Sequence, residues 1–205
     1  MSEELLNHPH AAYIWQSLMW YFDNPYGVAG LMGNLQAESG LYPDRVQGDV
    51  PYSSESQKYT ANVDNGTTTK SEFIHDWTGY GLAQWTYPDR KEALYDFWQD
   101  LGYSSIGDVD LAVDFLCEEL LNDFPSVYDT ILNATSIREA SDIVLHDFEN
   151  PAEQGASVEK LRESLGVEIF NTFSGLEPVE PGGGGGASGK RKGLSKLLLY
   201  TVATD

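Results

Sequence analysis

Two short segments carry side chains suited to proton transfer and to binding flat rings. The first ends a run of small and apolar residues with Glu38 and continues into Ser39-Gly40-Leu41. The second, 79–86, combines glycine, aromatic residues and the amide Gln84. A carboxylic acid that is partly desolvated at the edge of a cleft has a raised pKa and can donate its proton to a glycosidic oxygen. Aromatic rings and a fixed amide are what a saccharide cleft needs beside such an acid.

We therefore expect Glu38 to be a general acid and the second segment to supply the substrate-binding residues. Those candidates are Tyr80, Gln84, Trp85 and the neighbouring Tyr87. A lone glutamate at a helix end is usually a solvated surface charge, and aromatic residues beside glycine more often fill corners of a core. The indication of a catalytic cleft therefore comes from the combination of the two segments.

Hydrolysis of a glycosidic bond needs a second carboxylate. It lies roughly 5 Å from the acid as a nucleophile, or farther away as the base that activates water. Asp64 and Asp76 are candidates for this role, and Asp49 is a third. If none of them reaches the cleft, the substrate's own 6-hydroxyl could attack and leave an anhydro sugar. The sequence leaves both reactions open.

The ordered motifs resemble the phage tail lysozyme family, which is related to soluble lytic transglycosylases and goose-type lysozymes. The resemblance covers roughly residues 9–173. It rests on the segments 37–41, 80–86 followed by Arg90, 105–108 and 147–151, and on the polar insertion. It implies a lysozyme-like fold that cleaves the β-1,4 bond between N-acetylmuramic acid and N-acetylglucosamine in peptidoglycan.

The resemblance also implies roles for single residues. Glu38 falls on the family's catalytic acid, Gln84 lines the same cleft, and Glu149 lies near it in a supporting role. Arg90 either clamps a carboxylate or peptide stem of the substrate or pairs with acidic neighbours. In the transglycosylases the first two motifs lie closer together than the 46 residues between Glu38 and Gln84 here, so the contribution of the intervening segment is open.

Residues typical of helix starts and ends predict a mostly helical α+β domain, lysozyme-like, with a polar hairpin-type insertion. Proline or a capping residue precedes several apolar stripes of helical period. Six helices are expected. The first begins at Pro9, the second spans Val28 to Glu38, and the third begins at Pro88 and stops at Gly102. The fourth covers 109–120, the fifth follows the capping box at Ser136, and the sixth runs from about Ser157 to Phe173. The polar stretch 47–78, with Asp64-Asn65-Gly66 as its turn, predicts the hairpin.

The chain divides by composition into a catalytic domain over 1–175, a linker rich in proline and glycine over 176–189, and a basic tail over 190–205. Through residue 180 the 31 acidic and 8 basic residues give a net charge of −23, and the remainder carries +3. An acidic body repels nucleic acid, so we expect no nucleic-acid partner. The expected partners are peptidoglycan glycan strands and other proteins of a phage tail or secretion apparatus.

No metal, cofactor or membrane span is expected. The acidic turn Asp64-Asn65-Gly66 lacks the ligand spacing of a calcium loop, the four histidines are scattered, and Cys117 is the only cysteine, expected to be buried and inert. The acidic N-terminus lacks the positively charged start of a secretion signal. We therefore expect a location on a phage particle or release from the cytoplasm. A peptidoglycan-binding module without catalysis remains the alternative function.

Overall fold

The helix that carries Glu38 runs through the centre of the protein. In the computed structural model, which describes residues 2–182, this helix is α3 (Pro25–Ser39). The Asn24 side chain caps its N-terminus, and Gly40 ends it in the left-handed conformation with φ +64°. The helix is buried along most of its length, so it leads from the interior to the surface at its C-terminal end, where Glu38 lies.

The described residues form ten further helical segments. They are α1 (Glu3–Asn7), α2 (Ala11–Phe22), α4 (Ser54–Asp64), α5 (Lys70–His75), α6 (Pro88–Leu101), α7 (Val109–Asp123), α8 (Pro125–Asn133), α9 (Ile137–Ile143), a π-helix (Val144–Glu149) and α10 (Ala156–Phe173). The predicted mostly helical fold is confirmed. The helix predicted to start at Pro88 and stop before Gly102 is confirmed residue for residue, with Gly102 as its left-handed cap. Cys117 is fully buried, as expected.

Three glycines on α3 allow neighbouring helices to approach closely. A Cβ atom at Gly27 would lie 1.9 Å from the carbonyl oxygen of Ile131 in α8. At Gly30 it would lie 2.6 Å from the Cβ of Ala140 in α9, and at Gly33 it would lie 2.4 Å from the backbone oxygen of Arg162 in α10. Any larger residue at these positions would force the helices apart. This close packing fixes the position of Glu38 relative to α10.

The prediction of a hairpin over 47–78 was wrong, because this segment forms α4 and α5. Ser53 caps α4, and Thr69 with Glu72 forms a capping box at the start of α5. The presumed hairpin turn at Asp64-Asn65-Gly66 is the C-terminal end of α4, where Gly66 has φ +77°. Glycine after a polar residue ends helices as well as it turns hairpins, and the capping residues on either side favoured helix.

β-Pairing within residues 2–182 is limited to isolated bridges. Tyr80 pairs with Val46 on one side and with Trp85 on the other. These bridges fold 79–86 into a tight turn and join it to the chain just after α3. The segment with Gln84 is thereby held beside the helix that carries Glu38.

The start of the predicted linker lies against α2. The amide of Val179 donates to the Gln16 carbonyl oxygen at 3.1 Å, and the Gln16 side chain donates to the Glu177 carbonyl oxygen at 2.8 Å. The rest of the linker and the basic tail over 190–205 lie outside the described residues. Between residues 2 and 182, the helices are too short or too polar to cross a membrane.

Candidate active site

A cleft of about 610 Å³ opens where α3 ends. Four of the predicted site residues line it: Glu38, Gln84, Tyr87 and Glu149. Arg90 lines it as well. The remaining walls include Arg45, Gln47, Val50, Phe124, Asp147 and Asn150. The structure therefore brings residues from distant parts of the sequence to one concave surface.

Glu38 is held by an arginine that the sequence did not single out. Its side chain is 22% exposed, and its Oε1 accepts a hydrogen bond from Nη2 of Arg162. The other terminal nitrogen of Arg162 donates to the Asn34 backbone oxygen at 2.8 Å. Because one planar guanidinium bonds both the backbone and the side chain of the same helix, the orientation of the Glu38 carboxyl is fixed.

Glu149 is the cleft carboxyl that keeps its proton. It is the last residue of the π-helix, a rare conformation that is frequent at functional sites. Its Oε1 is buried and has no hydrogen-bond partner. Burial raises the pKa of Glu149 to about 8, and the charge of Glu38 adds to this effect. The positive charges of Arg90 and Arg162 oppose the rise without cancelling it. At neutral pH this cleft thus contains a protonated carboxylic acid.

Arg90 pairs with a buried acidic neighbour, the second of the two roles considered for it. Its Nε and Nη2 donate to the two carboxylate oxygens of Glu119 at 2.6 and 2.8 Å. The guanidinium carbon lies 4.8 Å from the centre of the Phe148 ring, within cation–π range. Arg90 therefore supports the cleft wall beside Glu149, and both of these hydrogen bonds go to Glu119.

Gln84 fastens the 79–86 turn to the chain beside Glu38. Its side-chain nitrogen donates to the backbone oxygens of Arg45 at 3.1 Å and Gly81 at 2.9 Å. The backbone of Gln84 is left-handed, with φ +50°. Such a conformation is costly for a residue with a side chain and persists where the surroundings enforce it, often at binding sites. Both of these hydrogen bonds use the side-chain nitrogen of Gln84, and its side-chain oxygen takes part in neither.

Two predicted sugar-binding residues lie in the core instead. Tyr80 is 0% exposed and shares a hydrogen bond with Thr60 at 2.7 Å, and Trp85 is 1% exposed with its Nε1 donating to Glu119 at 2.9 Å. Neither lines the cleft. Their placement is a correction to the sequence interpretation, because both rings and their polar atoms are used to hold the turn in place.

The predicted second carboxylates also lie outside the cleft lining. Asp64 accepts a hydrogen bond from the Ile106 amide at 2.9 Å, and Asp76 pairs with the buried Lys91 at 2.5 Å. Asp49 bonds Ser53 and Ser56 at the start of α4, and these bonds lower the pKa of Asp49 to about 2. Each aspartate has a structural role in the insertion. The acidic residues that do line the cleft beside Glu38 are Asp147 and Glu149.

Arg162 was detectable from the sequence by its register. The buried residues of α10 are Arg162, Gly166, Ile169 and Phe173, which recur at helical spacing. An arginine in the first place of that stripe must find a buried partner, because an unpaired charge is costly there. Glu119 in α7 follows the same logic, since it is 4% exposed.

The part of the chain that the structure describes holds no group of three or more histidine, cysteine or acidic side chains arranged to bind a metal ion. A comparison with protein-family models finds one that spans most of the sequence, the model of the phage tail lysozyme, which matches residues 9–173. Searches of curated proteins and of solved structures find no match. The matched region contains α3, the 79–86 turn, the π-helix and α10, and hence every residue of the cleft. The chain therefore belongs to the phage tail lysozyme family.

Proposed function

We propose that this protein is a peptidoglycan glycosidase that cleaves the β-1,4 bond between N-acetylmuramic acid and N-acetylglucosamine. Family membership supports a cell-wall lytic enzyme of phage origin. The observation that carries the specific reaction is the pair of glutamates in one cleft, Glu38 beside Arg162 and Glu149 with a buried, unpartnered Oε1. Two carboxyl groups with unlike surroundings are the arrangement that glycosidic cleavage uses.

Glu38 is the proposed general acid. Because it is charged beside Arg162 in the resting protein, it must take up a proton before it can donate one, and the protonated Glu149 in the same cleft is the proposed source of that proton. Arg162 orients Glu38 toward the bond to be cleaved, and Arg90 with Glu119 braces the wall next to Glu149. The reverse assignment makes Glu149 the proton donor and Glu38 the carboxylate that stabilises the positive charge on the sugar. Under the first assignment Glu149→Gln keeps residual activity; under the second it is as inactive as Glu38→Gln at every pH.

Hydrolysis is the proposed reaction, with Asp147 as the remaining carboxylate of the cleft lining that could activate water. Transglycosylation is the second candidate. It is favoured because Asp64 and Asp76, two candidates for the second carboxylate of a hydrolase, are bonded to other residues outside the cleft. In that case the 6-hydroxyl of the muramic acid attacks, and the product ends in an anhydro sugar.

One digestion experiment tests the proposal. Purified peptidoglycan is incubated with the wild type, with Glu38→Gln, and with Glu168→Gln as a matched control on the exposed face of α10. Because a positioned acid contributes at least about a hundredfold to rate, Glu38→Gln should release almost no saccharide fragments while Glu168→Gln matches the wild type.

Mass analysis of the fragments identifies the bond and the reaction. Reducing muramic acid ends indicate hydrolysis, and anhydro ends indicate transglycosylation. Cleaved peptide stems would refute the proposed bond, and full activity of Glu38→Gln would refute the proposed acid. Binding to peptidoglycan without any fragment release by the wild type would favour a non-catalytic module of a phage tail.

A further inference from the structure

Two aromatic side chains are exposed together at the edge of the cleft. Trp77 is 61% exposed and Tyr87 is 62% exposed, and their ring centres lie 6.4 Å apart at an interplanar angle of 83°. Tyr87 is part of the cleft lining. The tryptophans at 15, 85 and 98 are at most 6% exposed, and Trp20 is partly buried. Trp77 thus gains little from burial in the protein itself.

The backbone holds Trp77 outward. Its φ is +57°, a left-handed conformation that L-residues with bulky side chains rarely adopt. Lys91, whose side chain is 0% exposed, donates to Asp76 Oδ1 at 2.5 Å and to the Thr78 backbone oxygen at 3.1 Å. Both neighbours of Trp77 are therefore bonded to one buried ammonium group. The exposed ring stands on a fixed support, and a rigid support lowers the entropy lost on binding.

We propose that Trp77, with Tyr87, forms an aromatic platform that stacks against a sugar ring of a peptidoglycan glycan strand beyond the bond that is cleaved. This inference rests on the proposed glycosidase function. A pyranose ring has an apolar C–H face that fits an aromatic face and hydroxyl groups that remain in water. The continuity of Tyr87 with the cleft selects a glycan as the occupant, since a strand held at Glu38 continues past Tyr87.

The experiment measures glycan binding without cleavage, in the Glu38→Gln background. The probes are soluble glycan strands freed of their stem peptides and the tetramer of N-acetylglucosamine. Trp77 is the most exposed of the five tryptophans, so acrylamide should quench its fluorescence most strongly. A bound glycan should therefore protect the tryptophan fluorescence from quenching by acrylamide. Protection should disappear when Trp77→Phe is added. Loss of one stacked ring should weaken binding about tenfold in Trp77→Ala.

The matched control is Tyr26→Ala. Tyr26 is 43% exposed and stacks on Phe170 at 5.4 Å, but it lies at the opposite end of α3 from Glu38. This variant should bind the glycan with unchanged affinity. Unchanged affinity of Trp77→Ala, or equal weakening by Tyr26→Ala, would overturn the platform.

One further variant separates recognition from folding, and a comparison of activities separates it from the proposed function. Trp77→Gly relieves the left-handed backbone, so its Tm should equal or exceed that of the parent while its affinity falls as in Trp77→Ala. A lower Tm for Trp77→Gly would assign the tryptophan a structural role and refute the inference. If Trp77→Ala cleaves and binds like the wild type while Glu38→Gln is inactive, the platform fails and the glycosidase stands. Full activity of Glu38→Gln refutes the proposed catalytic acid independently.

Discussion

Replacing Glu149 by glutamine should remove a large pH dependence from the stability of the fold. The pKa of this carboxyl rises from 4.5 in the unfolded chain to about 8 in the folded protein. Between these values the folded state binds one proton more than the unfolded state. The contribution of this group to the free energy of unfolding is therefore fully present below pH 4.5 and is lost as the pH rises through about 8. Glutamine keeps the shape of the protonated acid but cannot ionise.

The size of the effect follows from linkage. Each pH unit between the two pKa values changes the free energy of unfolding by about 1.4 kcal/mol. Because the slope flattens near each pKa, the wild type should lose about 3.5 kcal/mol between pH 5 and pH 8 through this group. The groups that act on it, Glu38, Glu119, Arg90 and Arg162, are present in both proteins.

The assay is urea denaturation of the wild type and Glu149→Gln at pH 5, 6, 7 and 8. The difference between the two proteins isolates Glu149, since His146, whose pKa is raised chiefly by its hydrogen bond to Gln154, titrates in both. We expect the difference to grow in favour of Glu149→Gln as the pH rises. Parallel curves for the two proteins would refute the argument that Glu149 is protonated in the folded state.

Two further predictions concern the supports of the site. Lys91→Met should lower the free energy of unfolding by about 2 kcal/mol, because Asp76 loses its ammonium partner but stays 25% exposed and partly hydrated. In urea denaturation, the double variant with Asp76→Asn should recover part of that loss. Wild-type stability of Lys91→Met would contradict the pairing. Gly33→Ala places a methyl group 2.4 Å from the Arg162 backbone oxygen, so it should cost about 2 kcal/mol and reduce peptidoglycan cleavage by displacing Arg162 from Glu38. Gly175→Ala, with nothing within 4 Å of its Cβ position, should leave both unchanged, and equal results for the two variants would contradict the packing argument.

The helices around the cleft were predictable because local signals agree there. The predicted span Val28 to Glu38 lies within α3, which begins one turn earlier because Asn24 caps it and Pro25 takes its first position. The position of Glu38 followed from this helix. Motif order further indicated that Gln84 and Glu149 would meet it, and the structure brings them to one cleft.

The failures share a physical cause. Whether an aromatic residue faces a cleft or the core depends on neighbours far away in sequence, and Trp85 finds Glu119 in α7. Asp76 was a plausible catalytic carboxylate until Lys91, in a different helix, was seen to pair with it. The hairpin was predicted from polar composition, whereas the capping residues at Ser53 and Thr69 determined the conformation.

Helices α4 and α5 of the insertion contribute no residue to the cleft lining, whereas Gln47 and Val50, which precede α4, do line it. Glu38 and Arg162 come from α3 and α10, Glu149 from the π-helix, and Arg90 from α6. The segment that contains α4 and α5 instead ends at Trp77 on the rim. For engineering, this separation makes α4–α5 a replaceable segment, provided that the incoming segment restores the hydrogen bond of Thr60 to Tyr80 and the anchor on Lys91.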